Sequence, residues 1–160
     1  MAVVELLLSP LAAHVRTARL VTVTAARRAG LEDGLLDELR FAVGEACSRA
    51  VGLHARHAPG VLVRVTIEDG PAGLVVTVVD AGPAAGPVPD DVSAGIVEGG
   101  DLAGDDGEHD LVDPDVALAL LTGLVDTATV EPGVTGTTVT MRWPLPVAAR
   151  GPGATAVSDT

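Results

Sequence analysis

The chain has 160 residues, a formal net charge of −12, and 48% hydrophobic but only 1% aromatic residues. That length and composition suit one domain whose core is built from Val, Leu and Ala. All ten basic residues are Arg, which excludes a P-loop lysine, a Schiff base and a kinase-type strand lysine, and the acidic balance argues against nucleic acid and anionic membrane as partners.

Val3 to Leu8 is a short apolar run that reads as an edge strand. Ser9 and Pro10 offer an N-cap and a proline at the first helical position. The helix predicted from there runs to about Arg28, with Leu11, Val15, Ala18, Val21 or Thr22, and Ala25 facing inward, and Gly30 ends it. Arg16, Arg19, Arg27 and Arg28 decorate this helix. Solubility is the plain account of them; the sharper one is a basic strip that docks an acidic partner.

Leu31 to Leu36 leads into a second helix, with Glu32 or Asp33 near its start, where the helix dipole favours negative charge. Leu39, Ala42, Val43, Ala46, Ala50 and Leu53 recur at helical spacing and form one buried face. Glu45 and Arg49 stand one turn apart on a neighbouring face. Two readings are open for them: a solvated intrahelical ion pair, worth a few tenths of a kcal/mol, or a functional pair beside small residues that leave room for a ligand. Cys47 falls inside the pattern and reads as a small buried residue, with no disulfide and no metal cluster. The helix ends near His57, before Ala58-Pro59-Gly60. His54 and His57 have no third ligand near them in sequence and read as helix-end residues, not as a metal site.

Val61 to Glu68 alternates apolar and polar as a half-buried strand does. Asp69 to Gly73 is a turn, and Leu74 to Val79 is the returning strand, more uniformly apolar and therefore central. It ends on Asp80-Ala81-Gly82-Pro83, where a carboxylate followed by glycine is either a ligand contact or a plain turn. Residues 83–115 differ in kind: rich in Gly, Pro and Ala, with ten acidic residues and no Arg. Such a segment is expected to be a lid, a binding loop or a disordered insertion; its spacing does not fit an EF-hand. Asp115 to Val125 reads as a short buried helix, Thr127 to Glu131 as a strand, and Thr137 to Trp143 as a final strand with Val139 and Met141 on one face. Residues 147–160 read as a disordered tail. With no signal-peptide pattern and no run of 18 apolar residues, a cytoplasmic location is expected. Hairpin-linked strands with grouped helices predict an α+β, two-layer sandwich: a mostly antiparallel sheet with helices on one face.

In this order, E-A-C-S-R-A-V-G-L-H-A on a helix, V-V-D-A-G-P after a hairpin, a glycine-rich stretch, V-A-L-A-L-L-T-G-L-V-D and G-T-T-V-T-M-R-W-P-L resemble the GHKL (Bergerat-fold) ATPases. Among these the chain is most similar to the RsbW/SpoIIAB anti-sigma-factor serine kinases of actinobacterial type. The resemblance covers about residues 3 to 146 and implies one ATPase-like domain over 1–146, with 83–115 as its lid. It implies ATP as cofactor in a pocket between helices and sheet, with Glu45 as the general base that takes a serine proton. Asp80 would hydrogen-bond the adenine amino group, Gly82 would let the backbone approach the base, and Thr137 would support both. It further implies a homodimer whose partners are a sigma factor and a STAS-type anti-sigma antagonist, with Arg19 contacting them and Arg16 beside it.

Three positions depart from the family pattern. Arg49 stands where the family has an Mg²⁺-binding asparagine; a guanidinium has no acceptor, cannot ligate Mg²⁺ and would repel it, and a direct contact with phosphate is the alternative role open to it. Ala84 replaces the second glycine of D-x-G-x-G. Asp113-Pro114-Asp115-Val116 stands in place of the glycines whose amides would receive phosphates at a helix start. The expected function is therefore an anti-sigma factor working by partner switching, with ATP and kinase chemistry weakened or lost. The alternatives are an active Mg-ATP serine/threonine kinase acting on the antagonist, and an acidic, non-catalytic interaction domain.

Overall fold

The computed structural model describes residues 1–83 and 127–146. The lid expected beyond Pro83, the helix expected over 115–125, the Ala84 and 113–116 departures and the 147–160 tail lie outside the described residues. The elements are β1 (Ala2–Leu8), α1 (Ala12–Ala29), a 3₁₀ turn (Asp33–Leu35), α2 (Leu36–His57), β2 (Val63–Gly70), β3 (Gly73–Asp80), β4 (Thr129–Gly133) and β5 (Gly136–Trp143). The five strands form one sheet in the order β1-β2-β3-β5-β4, every neighbouring pair antiparallel. This is the α+β arrangement expected, with β1 at one edge and the apolar β3 in the centre.

Strand periodicity decides which face is covered. Val65, Val78 and Val139 line up across β2, β3 and β5, as do Ile67, Val76 and Met141, and all six are buried. The α2 stripe of Leu39, Ala42, Val43, Ala46, Ala50 and Leu53 is buried as its spacing requires. Its alanines let the α2 backbone approach the sheet closely, and each Val or Leu removed from water contributes about 1.5–3 kcal/mol. Trp143 Nε1 donates to Glu38 Oε1 at 2.9 Å and ties the end of β5 to the first turn of α2.

Some local expectations shift. Ser9 is not the N-cap of α1. Its carbonyl accepts from the Leu11 N–H at 2.7 Å and lies 3.1 Å from His14 Nδ1, so the chain turns once more before the helix starts at Ala12. The inner face of α1 is accordingly Val15, Ala18, Thr22, Val23 and Ala26; Ala25 is only partly buried, and Leu11 is exposed. Thr22 tolerates burial because its hydroxyl donates to the Ala18 carbonyl at 2.8 Å. Gly30 caps the helix in the left-handed conformation, φ 86°, as its position predicts. β2 begins at Val63 and continues to Gly70, leaving Val61 exposed in the connection. Among the described residues no helix is long and apolar enough to cross a membrane.

Candidate functional site

Two clusters gather the residues singled out from the sequence. The first lies where the end of β3 meets α2. Register places Asp80 opposite Thr137 of β5. Arg49 reaches across from α2, and its Nη1 donates to Asp80 Oδ2 at 2.5 Å, both side chains being 1% exposed. The other carboxylate oxygen, Oδ1, accepts the Gly82 N–H at 3.0 Å, an Asx turn that folds the chain back on the strand end. The solvated Glu45–Arg49 ion pair is therefore not what forms. Arg49 lies seven residues beyond Ala42 and so falls on the inner face of α2, while Glu45, half-buried, makes no ion pair among the described residues. Among the described residues, Arg49 Nε and Nη2 and Thr137 Oγ1 are buried without a hydrogen-bond partner.

His54 completes this corner and is more than a helix-end residue. It is fully buried, 2.8 Å from the Val61 carbonyl through Nδ1 and 2.7 Å from the Ala81 amide through Nε2. An amide can only donate, so Nε2 accepts and the ring proton sits on Nδ1. One neutral imidazole thus ties the C-terminal turn of α2 to the entry of β2 and to the exit of β3. The signal was available: Ala46, Ala50 and His54 are four apart on one stripe, and a histidine on a buried stripe must satisfy two nitrogens. His57, by contrast, is exposed. Among the described residues no three His, Cys, Asp or Glu side chains cluster to hold a metal ion.

The second cluster is a groove of about 270 Å³ lined by Arg16, Arg19, Leu20, Val23, Thr24 and Arg27 of α1 and by Arg40 of α2. The Arg19 guanidinium lies over Gly44, where any Cβ would run into its Nε, Cζ and Nη2. Its Nε is buried without a partner among the described residues. Beneath the helices, burial pushes the Cys47 thiol up from 9.0 to about 12, against the opposing pull of Arg19. Arg40 was not foreseen as a groove residue, because its place depends on how α2 packs against α1. Its ion pair with Asp37, 3.8 Å long and exposed on both sides, contributes little.

The profile of the histidine kinase-like ATPase domain matches residues 8–143 of the chain. Comparison with curated proteins gave no match.

Proposed function

Because the chain belongs to the histidine kinase-like ATPase family, we propose that it acts in the cytoplasm as an anti-sigma factor, holding a sigma factor and exchanging it for a STAS-type antagonist, with ATP chemistry weakened or lost. The observation that carries this reading is the arginine groove. In a chain of net charge −12, four arginines line one groove together with the exposed Leu20 and the buried Val23. That combination suits an amphipathic partner segment with acidic residues beside apolar ones. Arg19 is the central contact, held in place by Gly44 beneath it, and Arg16 extends the rim. The switching unit is proposed to be a homodimer, in line with the resemblance read from the sequence.

The described residues do not fit Mg-ATP as they stand. Asp80 has one oxygen on Arg49 and the other on the Gly82 amide, and Arg49 offers no acceptor to Mg²⁺. No phosphoryl-transfer step is therefore assigned to Glu45, and the competing reading as an active serine kinase lacks its nucleotide contact. Capture of the cognate sigma factor and antagonist by immobilised protein tests the regulatory reading. Arg19→Glu is expected to lose about tenfold or more in affinity for both; undiminished capture of both partners would remove the groove from the interface and with it the support for this function.

A further inference from the structure

We propose that Arg49 is a built-in plug: it occupies the place at Asp80 where a nucleotide base would be read, and so closes the nucleotide pocket of this ATPase-like domain from within. The inference rests on family membership and on the geometry at Asp80, and it stands apart from the identity of the protein partners.

Asp80 is the only carboxylate among the buried residues described. It stands at the strand end where family membership places the acceptor for the exocyclic amine of a base. Each of its oxygens already has a partner, and the group is shut off from solvent. Oδ2 is held by Arg49 at 2.5 Å, Oδ1 by the Gly82 amide at 3.0 Å, and the carboxylate is 1% exposed. Space is consumed as well. A Cβ placed on Gly82 would stand 2.9 Å from Leu53 Cβ and 3.3 Å from Asp80 Oδ1, so the turn after β3 lies directly on α2. His54 holds it there through the Ala81 amide.

Stability does not account for the arginine. A buried ion pair repays its desolvation only when the remaining donors are also satisfied. Here Nε and Nη2 of Arg49 are buried with no partner among the described residues, and Thr137 Oγ1, opposite Asp80 in register, has none among them either. A shorter neutral residue at position 49 would spare those orphaned donors and leave Asp80 free to accept from a ligand. What the arginine supplies is exclusion: its guanidinium is the donor that Asp80 would otherwise find in a base, tethered at an effective concentration no free nucleotide can match.

The test is calorimetric titration of the full chain and of Arg49→Asn with ATP, with and without Mg²⁺. Wild-type protein is expected to show no saturable binding up to about 1 mM ATP, and Arg49→Asn to bind about tenfold or more tighter. Saturable micromolar binding by wild type, or a folded Arg49→Asn protein that binds no better than wild type, overturns the plug. Nitrogen-15 spectra of the wild-type Arg49 Nε group during the same titration keep the test independent of the variant's folding. An unmoved Nε signal supports closure, whereas an ATP-dependent shift shows nucleotide entering beside Arg49 and refutes it. Nucleotide-free capture of the sigma factor and antagonist by both proteins separates the two readings, because lost capture condemns the regulatory function while leaving the plug intact.

Discussion

At the scale of single residues, the Arg49–Asp80 pair makes an asymmetric prediction. Asp80→Ala leaves a permanent cation buried with no counter-charge, and urea denaturation is expected to show a loss of about 3–5 kcal/mol. Replacing both partners together, in the double variant Arg49→Met/Asp80→Leu, removes the buried charges and the buried donors in one step. Its cost is expected to stay within about 1 kcal/mol, and equal losses from the two variants would mean that the pair is a net stabiliser. Cys47 predicts an alkaline limit. With the thiol at about 12 in the folded chain and 9.0 as its ordinary value, the unfolded chain releases its proton first. The stabilisation is complete below pH 9 and falls as pH rises towards 12, by up to about 1.4 kcal/mol per pH unit. Across that range the denaturation midpoint of wild type should fall more steeply with pH than that of Cys47→Ala, and equal slopes would refute the effect. The burial of Cys47 was legible from its place in the helical stripe. The partner of Arg49 was not: helical spacing names the residues one turn away, whereas Asp80 is 31 positions distant and is brought in by the sheet.

At the scale of elements, the strands and both helices followed from periodicity and from glycine and proline stops. The start of α1 did not, because a side-chain capping pattern says nothing about whether the Ser9 carbonyl is first spent on a tighter turn. Two glycines show what element packing demands. Gly136 opens β5 at φ 151°, and a Cβ there would run into the backbone carbonyl of Asp80. Backbone cannot yield as a side-chain tip can, so Gly136→Ala is expected to cost about 3 kcal/mol or more in thermal or urea melts. Gly44 is the opposite case. The obstruction is the flexible end of Arg19, and alanine inside a helix returns about 1 kcal/mol of propensity. Gly44→Ala should therefore keep stability within about 1 kcal/mol of wild type while pushing Arg19 out of its seat. Weakened partner capture by this stable variant would show that seating Arg19 is what Gly44 is for; unchanged capture would make the seat irrelevant to binding.

At the scale of the whole molecule, charge is divided along the chain. Nine of the ten arginines fall in residues 1–83 and 127–146, with ten acidic residues, whereas residues 84–126 carry eleven acidic residues and no arginine. The helix–sheet body is thus close to neutral, 9 − 10 = −1, and its basic groove is a local feature that a net charge of −12 conceals. A local basic patch acts over about a Debye length, roughly 10 Å at 0.1 M salt. It governs how fast an acidic partner arrives more than how long it stays. Removing rim charges that make no buried contact should therefore slow association and leave dissociation nearly unchanged. Arg16 and Arg27 are such rim groups, both exposed. For the double variant Arg16→Gln/Arg27→Gln, stopped-flow or surface-binding kinetics with the proposed sigma-factor partner are expected to show a several-fold lower association rate at about 50 mM salt. Near 500 mM, where screening has already removed the advantage, variant and wild type should coincide. The seated Arg19 should behave differently, with Arg19→Ala raising the dissociation rate at both salt concentrations, since its donors are partly buried and engage at short range. A double variant as fast as wild type at low salt would mean that the partner approaches by another face of the molecule.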